Sequence, residues 1–398
     1  MEAARAEAQS AREGHWPTLA LTAKGVGTSE PVGVFGVKLD EQRITTADFN
    51  PATLNSPGPA GGVGLGAALV LPIWMGGRIV AGEQAAQAQA GAEASSQERR
   101  RQEMAVAVVQ AYFAVKVAAQ GLQYADDALA HAREVERFLR ERNEKGLALD
   151  ADAARGTAFR AQAEAERAAV LQQLGAARSA LRMLAGIDAS ESQLVTPVAV
   201  ADPTARPSPP GNPGEAPPPA RPDVAAARFR SRAAEESVGV SRASLLPEVF
   251  AQAGVDTLRG PSFQGATWWS AALVVRWQFG LSSVRSVEAA EARSAAAGAA
   301  ARWQEVQASR EVEEARRAGA SAEARVRSAL EAVAASESAR ELRLARYRQG
   351  LLPLTEVLDA EAALAGARSL LLRSQLEARI ARAQLDLALG LPVEGVES

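Results

Sequence analysis

The chain has 398 residues, a formal net charge of −3, 5% aromatic residues and no cysteine. Disulfide and thiolate chemistry are therefore excluded, and a nearly balanced charge with arginines interleaved among glutamates gives no basis for nucleic-acid binding. Alanine with Glu, Gln, Arg and Leu fills long stretches, a composition that favours long helices over one large mixed core.

The opening "EAARAEAQSAREG" is helical and charged and lacks the pattern of a secretory signal. A strand is predicted at about 17–27, where Leu19, Leu21 and Ala23 alternate with Thr18, Thr22 and Lys24. The segment "VFGVKLDEQRITTADFNPATLNSPG" then reads as a long loop. A second strand, about 62–74, places Val63, Leu65, Ala67, Leu69, Leu71 and Ile73 on one parity and Gly64, Gly66, Ala68, Val70 and Pro72 on the other. A proline-free run predicts a helix at about 78–145, about 100 Å long at ~1.5 Å per residue. Its length points to a coiled coil or helical tube. Gly146 breaks it, and a second helix is predicted at about 148–192. No run of about 18 apolar residues is present, so no transmembrane helix is expected.

Residues 197–222 hold 10 of the 20 prolines and read as an extended connector. Beyond it a helix begins near Asp223 and leads to Pro247. Strands follow at about 247–258 (Val249, Ala251, Ala253 and Val255 against Glu248, Gln252 and Asp256) and 267–279 (Trp269, Ala271, Leu273, Val275, Trp277 and Phe279 against Ser270, Arg276 and Gln278). Helices are predicted at about 282–349 and 353–390, broken at Gly350, with Pro353 in the first helical turn.

The two halves repeat one plan. AALV at 67–70 recurs at 271–274, an offset of 204, and at that offset Ala85, Arg142, Gly146, Leu181 and Gly186 fall on Ala289, Arg346, Gly350, Leu385 and Gly390. Upstream, Pro17 falls on Pro247, so the first half carries an insertion of 230 − 204 = 26 residues. The sequence thus divides into 1–196, a connector at 197–222, and 223–398, each half a β-hairpin followed by a long helical hairpin. The repeat also predicts a longer N-terminus, because the counterpart of the helix from Asp223 would start before Met1. The missing part is expected to hold the rest of that helix and an export signal, with or without a lipid-anchored cysteine.

Four strands of one parity, apolar on one face and polar or small on the other, are the pattern of transmembrane β-barrel strands. Trp16, Trp74, Trp268, Trp269 and Trp277 fall near strand ends, where an aromatic girdle would lie. Four strands cannot close a barrel, and lipid tolerates no open edge, so several chains would have to build it. Alternation alone also fits a soluble hairpin packed on a helix, and a soluble coiled-coil scaffold is the competing expectation.

The chain resembles the TolC-like outer-membrane efflux proteins over nearly its whole length. Their strand-to-helix signature is similar to "PIWMGG" (Pro72, Trp74, Gly76, Gly77) and, more degenerately, "RWQFG" (Trp277, Phe279, Gly280). Their C-terminal signature resembles "RYRQGLLPLTEVLDAEAAL" at 346–364 and "AQLDLALGLP". The resemblance implies a mainly α protein with a transmembrane β-barrel contribution. It implies a homotrimer with a 12-stranded barrel in outer-membrane lipid of a Gram-negative bacterium and a 12-helix periplasmic tube. It further implies a passive exit duct of a tripartite efflux or type I secretion system, docked to a periplasmic adaptor (membrane fusion) protein and an inner-membrane pump, with no enzymatic activity and no cofactor.

The resemblance also assigns sites. Gly146, Leu147 and Ala148, and Gly350, Leu351 and Leu352, match the hairpin tips that touch the adaptor, with Lys145 and Gln349 in place of the family's valine. Glu356 and Asp359 match a pair of aspartates lining the narrow entrance. Their i, i+3 spacing puts them on one helix face, and threefold symmetry would gather six carboxylates into a cation-attracting ring. Acids in the first turns of a helix also offset its dipole. Tyr347 and Asp152 match positions that hold the entrance shut in some members. His15 and His131 have no ligand-like neighbours, and with four methionines and no cysteine a metal-handling duct has no support.

Overall fold

The structure, a computed structural model, describes residues 2–146, 149–186 and 221–392. Its elements in chain order are α1 (Glu2–Glu13), β1 (Thr18–Thr28), α2 (Pro31–Asp40), a 3-10 turn (Thr46–Phe49), α3 (Pro51–Asn55), β2 (Ala60–Trp74), α4 (Arg78–Glu144), α5 (Asp150–Ala185), α6 (Pro222–Ala243), β3 (Glu248–Arg259), β4 (Thr267–Arg276), α7 (Leu281–Arg348) and α8 (Leu354–Leu389). The chain divides into two compact units, Met1–Ala94 with Ala226–Arg302, and Ser95–Ala225 with Trp303–Ser398.

The first unit is built on one antiparallel sheet of order β1-β2-β3-β4. Its register aligns odd residues with odd and even with even across all four strands. Leu19 faces Leu69, Leu69 faces Ala253 and Ala253 faces Ala271. One residue on, Ala20, Ala68, Gly254 and Ser270 form the next row. Directly paired residues share a face, so the alternation in each strand adds up to one apolar and one polar, small-residue face. The register shifts between Pro72 and Trp74, where Pro72 pairs with Phe250 and Trp74 with Val249. Ile73 is the extra residue of a bulge, and the bulge moves Trp74 onto the apolar face.

Several expectations are corrected. The insertion is not a bare loop, since it contains α2, the 3-10 turn and α3; Pro31 starts α2 and Asn50 caps α3 by accepting from the Ala52 N–H. β4 ends at Arg276, because Glu248, its last partner on β3, is reached there and the Trp277 indole N–H turns to the Leu245 carbonyl at 3.1 Å. Trp268 lies on the even face, packed beside α2, and not in a girdle.

In the second unit α4 pairs with α5 and α7 with α8. Residues Ala111, Val115, Leu174 and Leu181 form the α4–α5 core, and Val106 and Val109 meet Ala383 of α8. On α8 the buried positions Leu354, Val357, Ala360, Leu364, Ala367, Leu371 and Ser374 recur every three or four residues, a coiled-coil seam that mixes Leu and Val with small side chains. α4 has no unbroken apolar run of membrane-spanning length, but it contains an 18-residue window of mean hydropathy 1.4, apolar enough to cross a membrane by length and composition only. Within α4, Val106 and Val109 pack on α8, and Ala111 and Val115 pack on α5.

The helix ends are set by backbone chemistry. α5 stops at Ala185, short of the expected 192, because Gly186 takes a left-handed conformation (φ 67°) and its N–H bonds the Arg182 carbonyl. Residues 187–196 and the connector through 220 lie outside the described residues. Arg221 and Pro222, assigned to the connector from sequence, belong to the entry of α6. Pro353 is the N-cap of α8 and not its first helical residue.

Candidate functional site

At the strand-to-helix junction, Gly76 and Gly77 both have positive φ (63° and 84°). A Cβ at Gly76 would stand 2.9 Å from the Leu246 Cβ and 3.0 Å from the Ala243 carbonyl, so this turn needs glycine for conformation and for space. Pro72 and Trp74 flank the bulge that ends β2. The second junction is made differently. Trp277 and Phe279 are exposed beyond β4, and the Gly280 carbonyl accepts from the Ser283 N–H at 3.0 Å.

The hairpin tips are glycine turns. Gly350 has φ 77°, its N–H bonds the Tyr347 carbonyl at 2.9 Å, and the Leu351 N–H bonds the Arg346 carbonyl at 3.0 Å. This is a Schellman motif, and it leaves Leu351 67% exposed, with Leu352 half-buried. Gly146 has φ 69°, and the Asn143 amide bridges the turn to Asp150 at 2.9 Å. Leu147 and Ala148 lie outside the described residues. Leu149, which sequence reasoning missed, is the N-cap of α5 and 71% exposed. Its signal was a leucine at a capping position where a polar residue would be normal.

The acids past the second tip are not equivalent. Glu356 is half-buried and 3.6 Å from the Arg343 guanidinium of α7, which also donates to the Glu356 carbonyl at 3.4 Å. Asp359 is exposed and has no ion-pair partner among the described residues. Leu354, Val357 and Ala360, interleaved with them, are buried in the α8 seam.

Tyr347 stacks edge-to-face on Phe138 at 6.0 Å, and the Arg142 guanidinium lies 5.6 Å over the same Phe138 ring. Burial pushes the Tyr347 phenol above its ordinary range, Arg142 opposes this and Asp152 adds to it. Asp152 therefore lies within electrostatic reach. It pairs with Arg155 at 3.6 Å, and no hydrogen bond joins it to Tyr347 among the described residues.

A further cluster was illegible in the sequence. The Arg221 side chain is almost wholly buried where α6 begins. It binds Asp223 (2.7 Å) and Glu311 (2.7 Å) and donates to the carbonyls of Ala308 and Ala388 at 3.4 Å each. Burial lowers the guanidinium's proton affinity, but the two carboxylates more than offset it and hold it above the ordinary arginine range. Burial likewise raises Asp223, and Arg221 overrides it and keeps the carboxyl below the usual range. Gln304 also donates to Asp223 at 2.8 Å. The arrangement fastens α6, α7 and α8 to one another.

A sheet with one apolar and one polar, small-residue face, joined to long antiparallel helix pairs, is the construction of a barrel-and-helix membrane channel. The family model for outer membrane efflux proteins matches residues 1–187 and 220–391. The chain belongs to that family, and it is a channel of outer-membrane efflux and not an enzyme or a soluble scaffold. Among solved structures, a membrane protein from Pseudomonas aeruginosa is 24% identical with a TM-score of 0.78, covering 98% of this chain and 87% of that one. The outer membrane protein VceC from Vibrio cholerae is 21% identical with a TM-score of 0.75, covering 99% and 91%. The Neisseria gonorrhoeae MtrE outer membrane channel in its open state is 22% identical with a TM-score of 0.73, covering 98% and 84%. No match was found among curated proteins.

Proposed function

We propose that three copies of this chain close a 12-stranded barrel in the outer membrane, and that the paired helices continue it as a periplasmic conduit for solute delivered by an adaptor and an inner-membrane pump. The observation that carries this reading is the pair of free sheet edges. β1 and β4 each pair on one side only, in a sheet whose odd face is apolar. Unpaired N–H and C=O groups in hydrocarbon cost several kcal/mol each, so β4 of one copy must meet β1 of the next until the ring closes. Twelve strands fall between small barrels filled by side chains and porins with open channels, which suits a duct.

The duplicated plan supports the same reading. α5 and α8 are both 36 residues long, and Asp150 and Leu354, like Ala185 and Leu389, are separated by 204 positions. Two near-equivalent hairpins per chain give a trimer six tips. We assign adaptor contact to Gly146, Leu147, Ala148, Gly350, Leu351 and Leu352, supported by the exposed Leu351, and add Leu149. We assign the entrance constriction to Asp359 with Glu356, and the latch to Tyr347 with Asp152. The conduit does no chemistry, and the pump supplies the energy.

The test is the mass of the detergent-solubilised protein after subtraction of bound detergent. It should be three times the 41.6 kDa of one chain. A monodisperse monomer that is stable without detergent would refute the assembly.

A further inference from the structure

The insertion between β1 and β2 is seated on one particular face of the sheet. Val34 and Val37 of α2 are buried against Ala60 and Leu258, with Val26 and Trp268 packed beside them. Val26, Ala60, Leu258 and Trp268 come from β1, β2, β3 and β4 in turn, and all four belong to the even face. That is the face carrying Thr22, Lys24, Asp256 and Ser270, opposite the apolar row of Leu19, Leu69, Ala253 and Ala271. α2 therefore covers the polar side of both β-hairpins at their turn ends.

The insert is fixed there by polar bonds as well. The Ala266 N–H donates to the Asp40 carbonyl at 2.7 Å, tying the end of α2 to the β3–β4 turn. The Glu41 carboxylate is fully buried and held by the Arg43 guanidinium, with Nε to Oε2 at 2.7 Å. A Cβ on Gly62 or Gly260 would stand 2.8 Å or 2.5 Å from the Glu41 Oε1, so the carboxylate occupies space that only glycine leaves open on β2 and just after β3. Lys38 and Asp48 pair at 2.7 Å, and Phe35 meets Phe49 edge-to-face at 5.8 Å, which holds the rest of the insert onto α2. These bonds describe a docked body, not a tethered loop.

We propose that the insert at 31–57 is a built-in constriction of the barrel's exit, seated on its lumen side, and that it restricts cargo to small solutes and excludes bulky polypeptide. The proposal rests on the three-chain barrel with its even face inward. Twelve strands ~4.8 Å apart and tilted ~40° enclose a backbone circle about 24 Å wide. Three helices of about 10 Å diameter fill a circle about 22 Å wide. Three copies of α2 on the inner wall therefore take most of the opening and leave gaps for small molecules.

The chain has no cysteine, so single thiols report without background. Ser270→Cys places one on the even face below the insert, and Ala271→Cys places one on the apolar face. With the protein in the outer membrane of intact cells, a small membrane-impermeant maleimide should label Ser270→Cys and spare Ala271→Cys. A maleimide carrying a polyethylene glycol chain of about 5 kDa should label Ser270→Cys at least tenfold more slowly. Replacing 31–57 by a short Gly-Ser turn should abolish that difference, and Val34→Asp with Val37→Asp, which keeps the chain length, should diminish it. Equal labelling by both reagents with the insert in place would overturn the constriction, as would a difference that survives both variants. Labelling of Ala271→Cys and not of Ser270→Cys by the small reagent would instead overturn the barrel orientation, and the constriction with it.

Discussion

Leu69→Arg tests which face of the sheet meets lipid. Leu69 lies in the row Leu19, Leu69, Ala253 and Ala271, five residues before Trp74. A strand rising ~3.3 Å per residue and tilted ~40° gains about 2.5 Å of depth per residue. Leu69 is therefore about 12 Å from Trp74, half the height of an apolar band ~25 Å tall. If Trp74 marks one interface, Leu69 sits near the midplane, where arginine on a lipid-facing strand position costs about 2–4 kcal/mol. At ~1.4 kcal/mol per tenfold, that is roughly 30-fold to several hundredfold in the insertion equilibrium. Ala68 is the adjacent residue on the opposite face. Its row is Ala20, Gly254 and Ser270, so an arginine there has room and water. Ala68→Arg should cost under about 1 kcal/mol, as surface changes do. The assay is the yield of detergent-resistant oligomer in the outer-membrane fraction at matched synthesis. Leu69→Arg should fall at least about fivefold below Ala68→Arg. Equal yields would refute the assignment of faces, and the reverse order would invert it.

Asp359→Asn should weaken cation preference and multivalent-cation block in planar-bilayer recordings more than Glu356→Gln does, because Arg343 already offsets Glu356; equal selectivity in the double variant and the parent would place both acids outside the pore. Arg221→Met should destabilise the second unit by about 3 kcal/mol, since it strands the largely buried Asp223. Arg310→Ala, which breaks an exposed pair with Glu314, should cost under about 1 kcal/mol, and thermal unfolding in detergent compares the two. The hydrogen bond from Lys38, with those of the Thr45 backbone and hydroxyl, lowers the Asp48 carboxyl from 3.8 to about 2. A depressed carboxylate stabilises the fold above its unfolded value and loses that contribution as pH falls through the folded one. Protease resistance of the insert should thus hold from pH 7 to about 4 and decline toward 2, and Asp48→Asn should remove this dependence.

The faces of the sheet were legible because lipid and water impose a period of two that the residues repeat strand after strand. That same period already placed Trp268 on the polar face, although its nearness to a strand end suggested a girdle. The insert was not legible. Pro31 and the apolar pair Val34 and Val37 mark a short helix, but Gly33 and Gly36 weaken it, and the cluster that stabilises it comes from four strands distant in sequence. Arg221 was hidden by the prolines before it, since nothing local distinguishes it from a solvated connector arginine; its environment is made by α7 and α8. Glu356 and Asp359 look alike in sequence, and they differ because Arg343 approaches from across the hairpin turn.

The interleaved arginines and glutamates have a role that composition alone does not show. Alanine is frequent among the buried helix positions of the second unit, between the larger Val and Leu, and alanine against alanine specifies register poorly, because a slip of one heptad replaces one small contact by another. The charged pairs break that degeneracy. Between α4 and α5, Arg160 meets Glu136, Arg133 meets Glu164 and Arg167 meets Asp126. Between α7 and α8, Arg340 meets Glu361, Arg368 meets Glu337 and Arg325 meets Glu377. Each exposed pair contributes at most about 1 kcal/mol, but a slipped register misplaces every rung at once. It would also uncouple Arg340 from Glu361, a pair bonded at 2.6 Å and only 15% and 10% exposed, where an unpaired charge costs more than the pair gains. Small side chains thus let the helices approach closely, and charge selects one alignment among those that close approach permits.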